Sequence, residues 1–574
     1  MRTLFFVSCR SRSALALAGL ALLAGPAAAA PPVSVVEATV LELRRALDSG
    51  ATTSVEIVRE SLLRIALYED RLNAVIAVNP EALEEAAARD RERAELAAAG
   101  RPVPLLHGLP VALKDNIHTL DLPTTGGALA FAGLVPPYEA TLVANLRAAG
   151  AIVLAKTQMT ELANWIAAGM PTNYCALTGF GFNPYDPRRD PREATADGRP
   201  ALWTGGSSSG VGTAVSFWVA SVGTETSGSI LSPAGQNLLA AVKPTVGRVS
   251  RYGIIPLTAD QDTAGPMART VTDAAILLSA LEGAAPDPHD AETGRCPRPE
   301  GGDYTRFLDA GALKGARIGI PRAYFYDEVT PPGEKEAIGG LDEGEAALMK
   351  EAIEVLRALG AEVVDPADIP SVVAADRDAN ALLWSVCRGP GQGKGRDADC
   401  SIVFKYGMKR DFDAWLASLG ERAPVPTLTA LRQWNVAHQK MGALRYGQAQ
   451  LDISDEMDVA LDRARYEMDR AKDLRLSRDE GIDAALAAHR LDALLFPDGT
   501  GAAIAAKAGY PTVMVPMGFV PNAPAPPFPP GFDARPSPFG VSFTGPACSE
   551  PRLLALAYAF EQATRERVPP PGFP

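Results

Sequence analysis

The chain has 574 residues, 47% of them apolar and 21% charged, and carries a net charge of −13. That length is ample for a large buried core, and an acidic chain without a basic block excludes binding to nucleic acid through phosphate attraction. Its five histidines are scattered singly and no cysteine pair has zinc-ligand spacing, so neither a metal site nor a cofactor is expected.

In chain order, Arg2, Arg10 and Arg12 precede the apolar run 14–24, which Gly25-Pro26 and the small-residue run 27–30 follow. Basic, apolar, then small is the order of a secretory signal peptide, and the apolar run is short for a membrane span. Cleavage after Ala29 fits the Ala27-x-Ala29 pattern, so 1–29 reads as a leader and the protein as periplasmic or secreted. No later stretch reads as a transmembrane helix. Cys9 leaves with the leader; Cys175, Cys296, Cys387, Cys400 and Cys548 stay. An odd number in an oxidising compartment permits at most two internal bridges and one free thiol. Cys387 and Cys400 flank a Gly-rich stretch, 389–395, that could close as a loop.

Thr53-x-x-Glu56 predicts a capping box opening a helix to about Leu67, and Asn79-Pro80 starts a second one ending near Gly100. Beyond it, short apolar runs at 109–113, 152–154, 316–320, 491–496, 512–515 and 541–544 read as strands. Helical stretches lie near 138–149, 209–220, 271–282, 340–359 and 551–566. This rhythm predicts an α/β fold, a large mixed sheet covered by helices on both faces. The segment 366–485 interrupts it and reads as a mostly helical insertion, a wall or lid for a pocket. The Pro-rich stretches 521–538 and 569–574 read as loop and tail.

The segment 205–230 carries the densest chemistry: Gly205-Gly-Ser-Ser-Ser-Gly210, a helix, then Gly223-Thr-Glu-Thr-Ser-Gly-Ser229-Ile230. Small residues allow close backbone approach and can aim several N–H groups at one point, as an oxyanion site beside a serine nucleophile requires. No histidine stands in a diagnostic context to serve as its base. Lys114 follows the apolar run 109–113, where a buried lysine is costly unless neutral or paired; a simple pair with Asp115 is the competing reading.

Lys114-Asp-Asn116, the two Gly/Ser turns, Lys243-Pro-Thr-x-Gly-Arg-Val-Ser-Arg-Tyr-Gly253 and Asp262-Thr-Ala-Gly-Pro-Met-Ala-Arg269 follow one another in that order. Together they closely resemble the amidase signature family. Ala155-Lys-Thr-Gln-Met-Thr-Glu161, Asn183-Pro184, Gly509-Tyr-Pro511, Val515-Pro516 and Pro538-Phe-Gly-Val-Ser-Phe543 extend the likeness over nearly the whole chain after the leader. The resemblance implies a single amidase domain over 30–574, with its signature core at about 105–285 and its C-terminal sheet part at about 490–566. It implies Ser229 as nucleophile, Ser207 as bridging serine after a cis peptide, Lys114 as base, and the N–H groups of Thr226, Ser227, Gly228 and Ser229 as oxyanion donors. Lys156 and Lys243 are scaffold in that pattern. Leu231 stands where an arginine is frequent, Glu225 where many members have Asp, and Ser207 and Ser229 lie closer in sequence than is usual.

The Gly-Thr-Glu-Thr-x-Gly-Ser and Gln261-Asp-Thr-Ala-Gly-Pro forms resemble those of peptide amidases, which implies a small-molecule or peptide amide as substrate. Fatty-acid amide, aryl amide or carbamate hydrolysis on the same core is the alternative, as is an exported relative that binds without catalysis. The tRNA-linked amidotransferase subunit is disfavoured by the leader and the missing arginine.

Overall fold

A computed structural model describes residues 33–206 and 209–574. The leader 1–29 and its cleavage point lie outside the described residues, and so do Ser207 and Ser208.

Among the described residues the chain builds an eleven-stranded mixed sheet. Its strands are β1 (Val75–Val78), β2 (Pro110–Lys114), β3 (Ile152–Thr157), β4 (Ala220–Glu225), β5 (Ala240–Lys243), β6 (Thr263–Ala268), β7 (Arg317–Gly319), β8 (Glu362–Val364), β9 (Ala493–Pro497), β10 (Thr512–Val520) and β11 (Ser537–Thr544). They lie in the order β1-β3-β2-β4-β6-β5-β10-β11-β9-β7-β8. β2 runs parallel between β3 and β4, whereas β4 pairs antiparallel with β6.

Alternation along β2 and β3 assigns the two faces. Val111, Leu113 and Val153 enter the main core, with helices Thr141–Ala148 and Val271–Leu281. Ala112, Ile152 and Leu154 face the opposite layer, where Val58 and Ile65 of helix Ser54–Leu72 pack with Trp218. The expected Thr53–Glu56 capping box opens that helix, which runs to Leu72.

The helix expected over 209–220 is a correction. It ends at Ala214, Ser216 turns the backbone left-handed (φ 57°), and 220–225 becomes the central strand β4. Ala-Ser-Val-Gly-Thr-Glu is buried on both faces, so no apolar–polar alternation marks it. β1, β5, β6 and β8 likewise lack a periodic signal.

The segment 366–485 is mostly helical, with helices at Val403–Ser418, Leu428–Ala437, Ala449–Asp455 and Arg463–Leu474. Phe404, Phe412, Trp415 and Leu431 form a separate apolar cluster with Phe131, Trp165 and Tyr174 of the signature core. Cys387–Cys400 closes the Gly-rich loop, Cys296–Cys548 ties the segment after Val271–Leu281 to the start of the last helix, and Cys175 is a buried free thiol. Among the described residues no helix is long and apolar enough to cross a membrane.

Candidate active site

The site forms where parallel strands β2 and β4 end side by side, the edge at which an open α/β sheet presents its loops. The apolar run of β2 carries Lys114 inward, fully buried, and its Nζ donates to Thr224 O of β4 at 3.1 Å. Burial pulls the Lys114 pKa from its usual 10.5 down to about 7, while the carboxylates of Asp262 and Glu225 pull it back up. The ammonium is thus close to half neutral at neutral pH. Asp115 contributes nothing to this charge: its carboxylate accepts from Thr125 N at 3.0 Å and faces Lys156 Nζ at 3.5 Å.

The turn after β4 is tied at both ends. Glu225 Oε2 accepts from Ile230 N at 2.7 Å and Leu231 N at 3.0 Å, folding the turn back over its own strand end. On the other side β6 places Thr263 opposite Glu225, so Gln261 and Asp262 lie against Thr226. Gln261 Nε2 donates to Thr226 O at 3.1 Å, and the Thr226 hydroxyl donates to Asp262 Oδ1. Asp262 Oδ2 accepts in turn from Leu257 N and Thr258 N. Burial pushes the Asp262 carboxyl up to about 7.

Within this frame Gly228 takes φ 93°, a conformation costly for any residue with a Cβ. The N–H groups of Ser227, Gly228 and Ser229 donate to no other described residue. They are free for a ligand oxygen. Ser229 lines the same wall, against Gly206, where a Cβ would stand 3.1 Å from Ser229 Oγ. Gly206 is held in turn by the Thr160 hydroxyl, which donates to its carbonyl at 2.6 Å. The structure therefore gathers Lys114, Thr226, Ser227, Gly228 and Ser229 at one strand edge. Ser207, and the cis peptide expected before it, lie outside the described residues.

Of these, Thr226, Ser227, Gly228 and Ser229 border a cavity of about 540 Å³. The signature core supplies Ser229, Gln261 and Asn164, and the helical insertion closes the other side with Trp384, Phe404 and Gln450. Among the described residues no histidine lines it. His118, buried elsewhere, accepts from Trp415 Nε1 at 2.9 Å, and burial brings its pKa down to about 3. Lys156 and Lys243 point into the scaffold: Lys156 Nζ donates to Pro123 O at 2.9 Å and Lys243 Nζ to Tyr510 O. Sequence reasoning assigned no role to Asp262, Gln261 or Thr224. The signal for Asp262 was an acid at the mouth of a buried stretch, which only the β4–β6 pairing turns into a neighbour of Thr226.

Comparison with known proteins identifies the family. A family model described as Amidase matches residues 56–389. A probable amidase of Arabidopsis thaliana is 32% identical over 541 residues, 94% of this chain and 92% of that protein. The structure of native peptide amidase from Stenotrophomonas maltophilia aligns with TM-score 0.76 at 36% identity, covering 93% of this chain and 98% of that one. A structure of a peptide amidase in complex with the competitive inhibitor chymostatin aligns with TM-score 0.75 at 36% identity, covering 93% and 99%.

Proposed function

This chain belongs to the amidase family and hydrolyses amide bonds, and from that premise we propose that it removes ammonia from the C-terminal carboxamide of a peptide through an acyl-enzyme on Ser229. The observation that carries the chemistry is Lys114, buried at the strand edge and brought to a pKa of about 7, so that a neutral amine is on hand without a histidine. Neutral Lys114 takes a proton from Ser207 while Ser207 takes one from Ser229 Oγ. The freed oxygen bonds to the carboxamide carbon, and the carbonyl oxygen gathers negative charge against the N–H groups of the Thr226–Ser229 turn. As the C–N bond breaks, the proton held on Lys114 passes back through Ser207 to the departing nitrogen, and ammonia leaves. Water then attacks the ester, gives its proton to the same relay, and the acid departs as Ser229 recovers its hydrogen.

The peptide substrate is supported by the peptide amidase likeness over nearly the full length of both chains, and by a cavity within the usual range for small ligands. The test is ammonia release from matched peptide amides, N-alkyl amides and fatty-acid amides. Peptide amides are expected to turn over fastest, and Ser229→Ala to lower turnover by at least about 10³-fold. Fast cleavage of fatty-acid amides with none of peptide amides would replace this substrate with the alternative one.

We also infer that the protein is exported. The basic–apolar–small order of 1–29 supports this, as does the pairing of four of the five remaining cysteines. N-terminal sequencing of protein from a secreting host is expected to begin near Ala30; active protein retaining Met1 in the cytosol would refute it.

A further inference from the structure

Acids outnumber bases in this chain, 68 to 55, yet among the described residues no aspartate or glutamate lines the catalytic cavity. Its charged lining consists of Lys507 and Arg388, both cations. Lys507 is already neutralised: its Nζ lies 2.8 Å from the buried carboxylate of Asp473 and donates to Trp384 O at 2.7 Å. Arg388 differs. Among the described residues its guanidinium has no ion pair and no hydrogen bond, and the residue is exposed while lining the cavity.

Its backbone is nonetheless well fixed. Arg388 follows Cys387, whose bridge to Cys400 closes the loop at its base. Cys387 N donates to Ser401 O at 2.9 Å, and Arg388 N donates to Gln392 Oε1 at 2.9 Å. A free guanidinium on an anchored loop that lines the same cavity as the nucleophile suits a planar anion on the acyl group.

We propose that Arg388 makes this site selective for acyl groups that carry a carboxylate, in peptide terms an acidic residue preceding the amidated one. The proposal rests on the peptide-amidase reading of the same site. It is tested with three peptide amides identical except for Glu, Gln or Lys at the penultimate residue. For each, kcat/KM is measured on wild type and on Arg388→Glu, and Kd by calorimetry on the Ser229→Ala protein with and without the second substitution.

An exposed ion pair is worth about two- to fivefold, so Glu is expected to exceed Lys by about that ratio at low salt. The ratio should shrink in about 1 M salt, where the screening length is about 3 Å, and should invert in Arg388→Glu. Equal kcat/KM and Kd for the three peptides, or a Glu preference that survives in Arg388→Glu, overturns the proposal. If none of the three is hydrolysed, the peptide-amidase reading fails, and the Kd ranking on Ser229→Ala still decides the role of Arg388.

Discussion

Asp115 gives its carboxylate to Lys156, 3.5 Å away and equally buried, and turns it away from Lys114, its neighbour in the chain. Two buried lysines thus stand at adjacent strand ends, one facing a carboxylate and one donating to a backbone carbonyl. Burial lowers the Lys156 pKa only to about 8, because Asp115 opposes it, whereas Lys114 falls to about 7 with no carboxylate paired to it. Removing one partner of a buried pair leaves an uncompensated charge. Asp115→Asn is therefore expected to destabilise the fold by about 3 kcal/mol in denaturant unfolding. Asp115→Asn combined with Lys156→Met should lose less than the two single losses added, by about 1 kcal/mol or more. Strict additivity would mean that the two groups do not interact.

Lys114 is the opposite case, a residue that the fold tolerates at a loss. Its pKa is about 7 in the folded protein and near 10.5 in the unfolded chain, so between these values the unfolded chain holds a proton that the folded one has released. Wild-type stability should accordingly rise with pH across that window, and the full penalty applies below it. Lys114→Met removes the penalty. It is expected to lower turnover by orders of magnitude while raising stability by up to about 5 kcal/mol near pH 6, at about 1.36 kcal/mol per pKa unit. The gain should fade toward pH 10.5. A variant that is inactive but no more stable than wild type at pH 6 would place the Lys114 amine in a wetter environment than its complete burial implies.

Lys114 drew attention in the sequence because it ends the apolar run 109–113, and the Ser229 turn because glycines and hydroxyls crowd together there, but their roles came only with the resemblance to the amidase signature family. Both are local signals. What Lys114 touches is not local: Thr224 O lies 110 residues away, on a strand of small residues buried on both faces whose pattern carries no period of two. Asp262 reaches Thr226 only through the antiparallel register of β4 and β6, a pairing that no single segment announces. The helical insertion was visible as a break in the α/β rhythm, but which of its side chains line the cavity depends on how it packs on Trp165 and Phe131. For the cysteines, parity limited the bridges to two, and the short spacing of Cys387 and Cys400 marked their loop. Cys296 and Cys548, 252 residues apart, carry no such mark.

That long-range bridge is expected to be the more stabilising of the two. Closing a long loop removes more freedom from the unfolded chain than closing a short one, in the chain-entropy account. Replacing Cys296 and Cys548 by serine should lower unfolding free energy by about 2–5 kcal/mol. Replacing Cys387 and Cys400 should cost less globally, since only 13 residues separate them. Unfolding monitored in parallel for the two double variants checks the order, and a larger loss from the shorter loop would contradict it.

The pH dependence of catalysis should report a coupled pair. Burial brings Lys114 down to about 7 and Asp262 up to about 7, and the Asp262 charge acts on Lys114, so the acid limb of kcat/KM is expected to depend on both groups. The negative charge of Asp262 raises the Lys114 pKa, and removing it must lower that value. Asp262→Asn keeps the local bonding: its oxygen can still accept from Leu257 N and Thr258 N, and its NH2 can donate to the Thr226 hydroxyl. The acid limb is therefore expected to move to lower pH, by up to about one unit, with the plateau rate held within about tenfold. Asp262→Ala removes the partner of Thr226 as well and should lower the plateau further by loosening the turn that carries the oxyanion donors. His118→Gln should leave the limb where it is, because that ring already stands neutral throughout the range. A limb that stays in place in Asp262→Asn, or moves to higher pH, would show that Lys114 does not govern it.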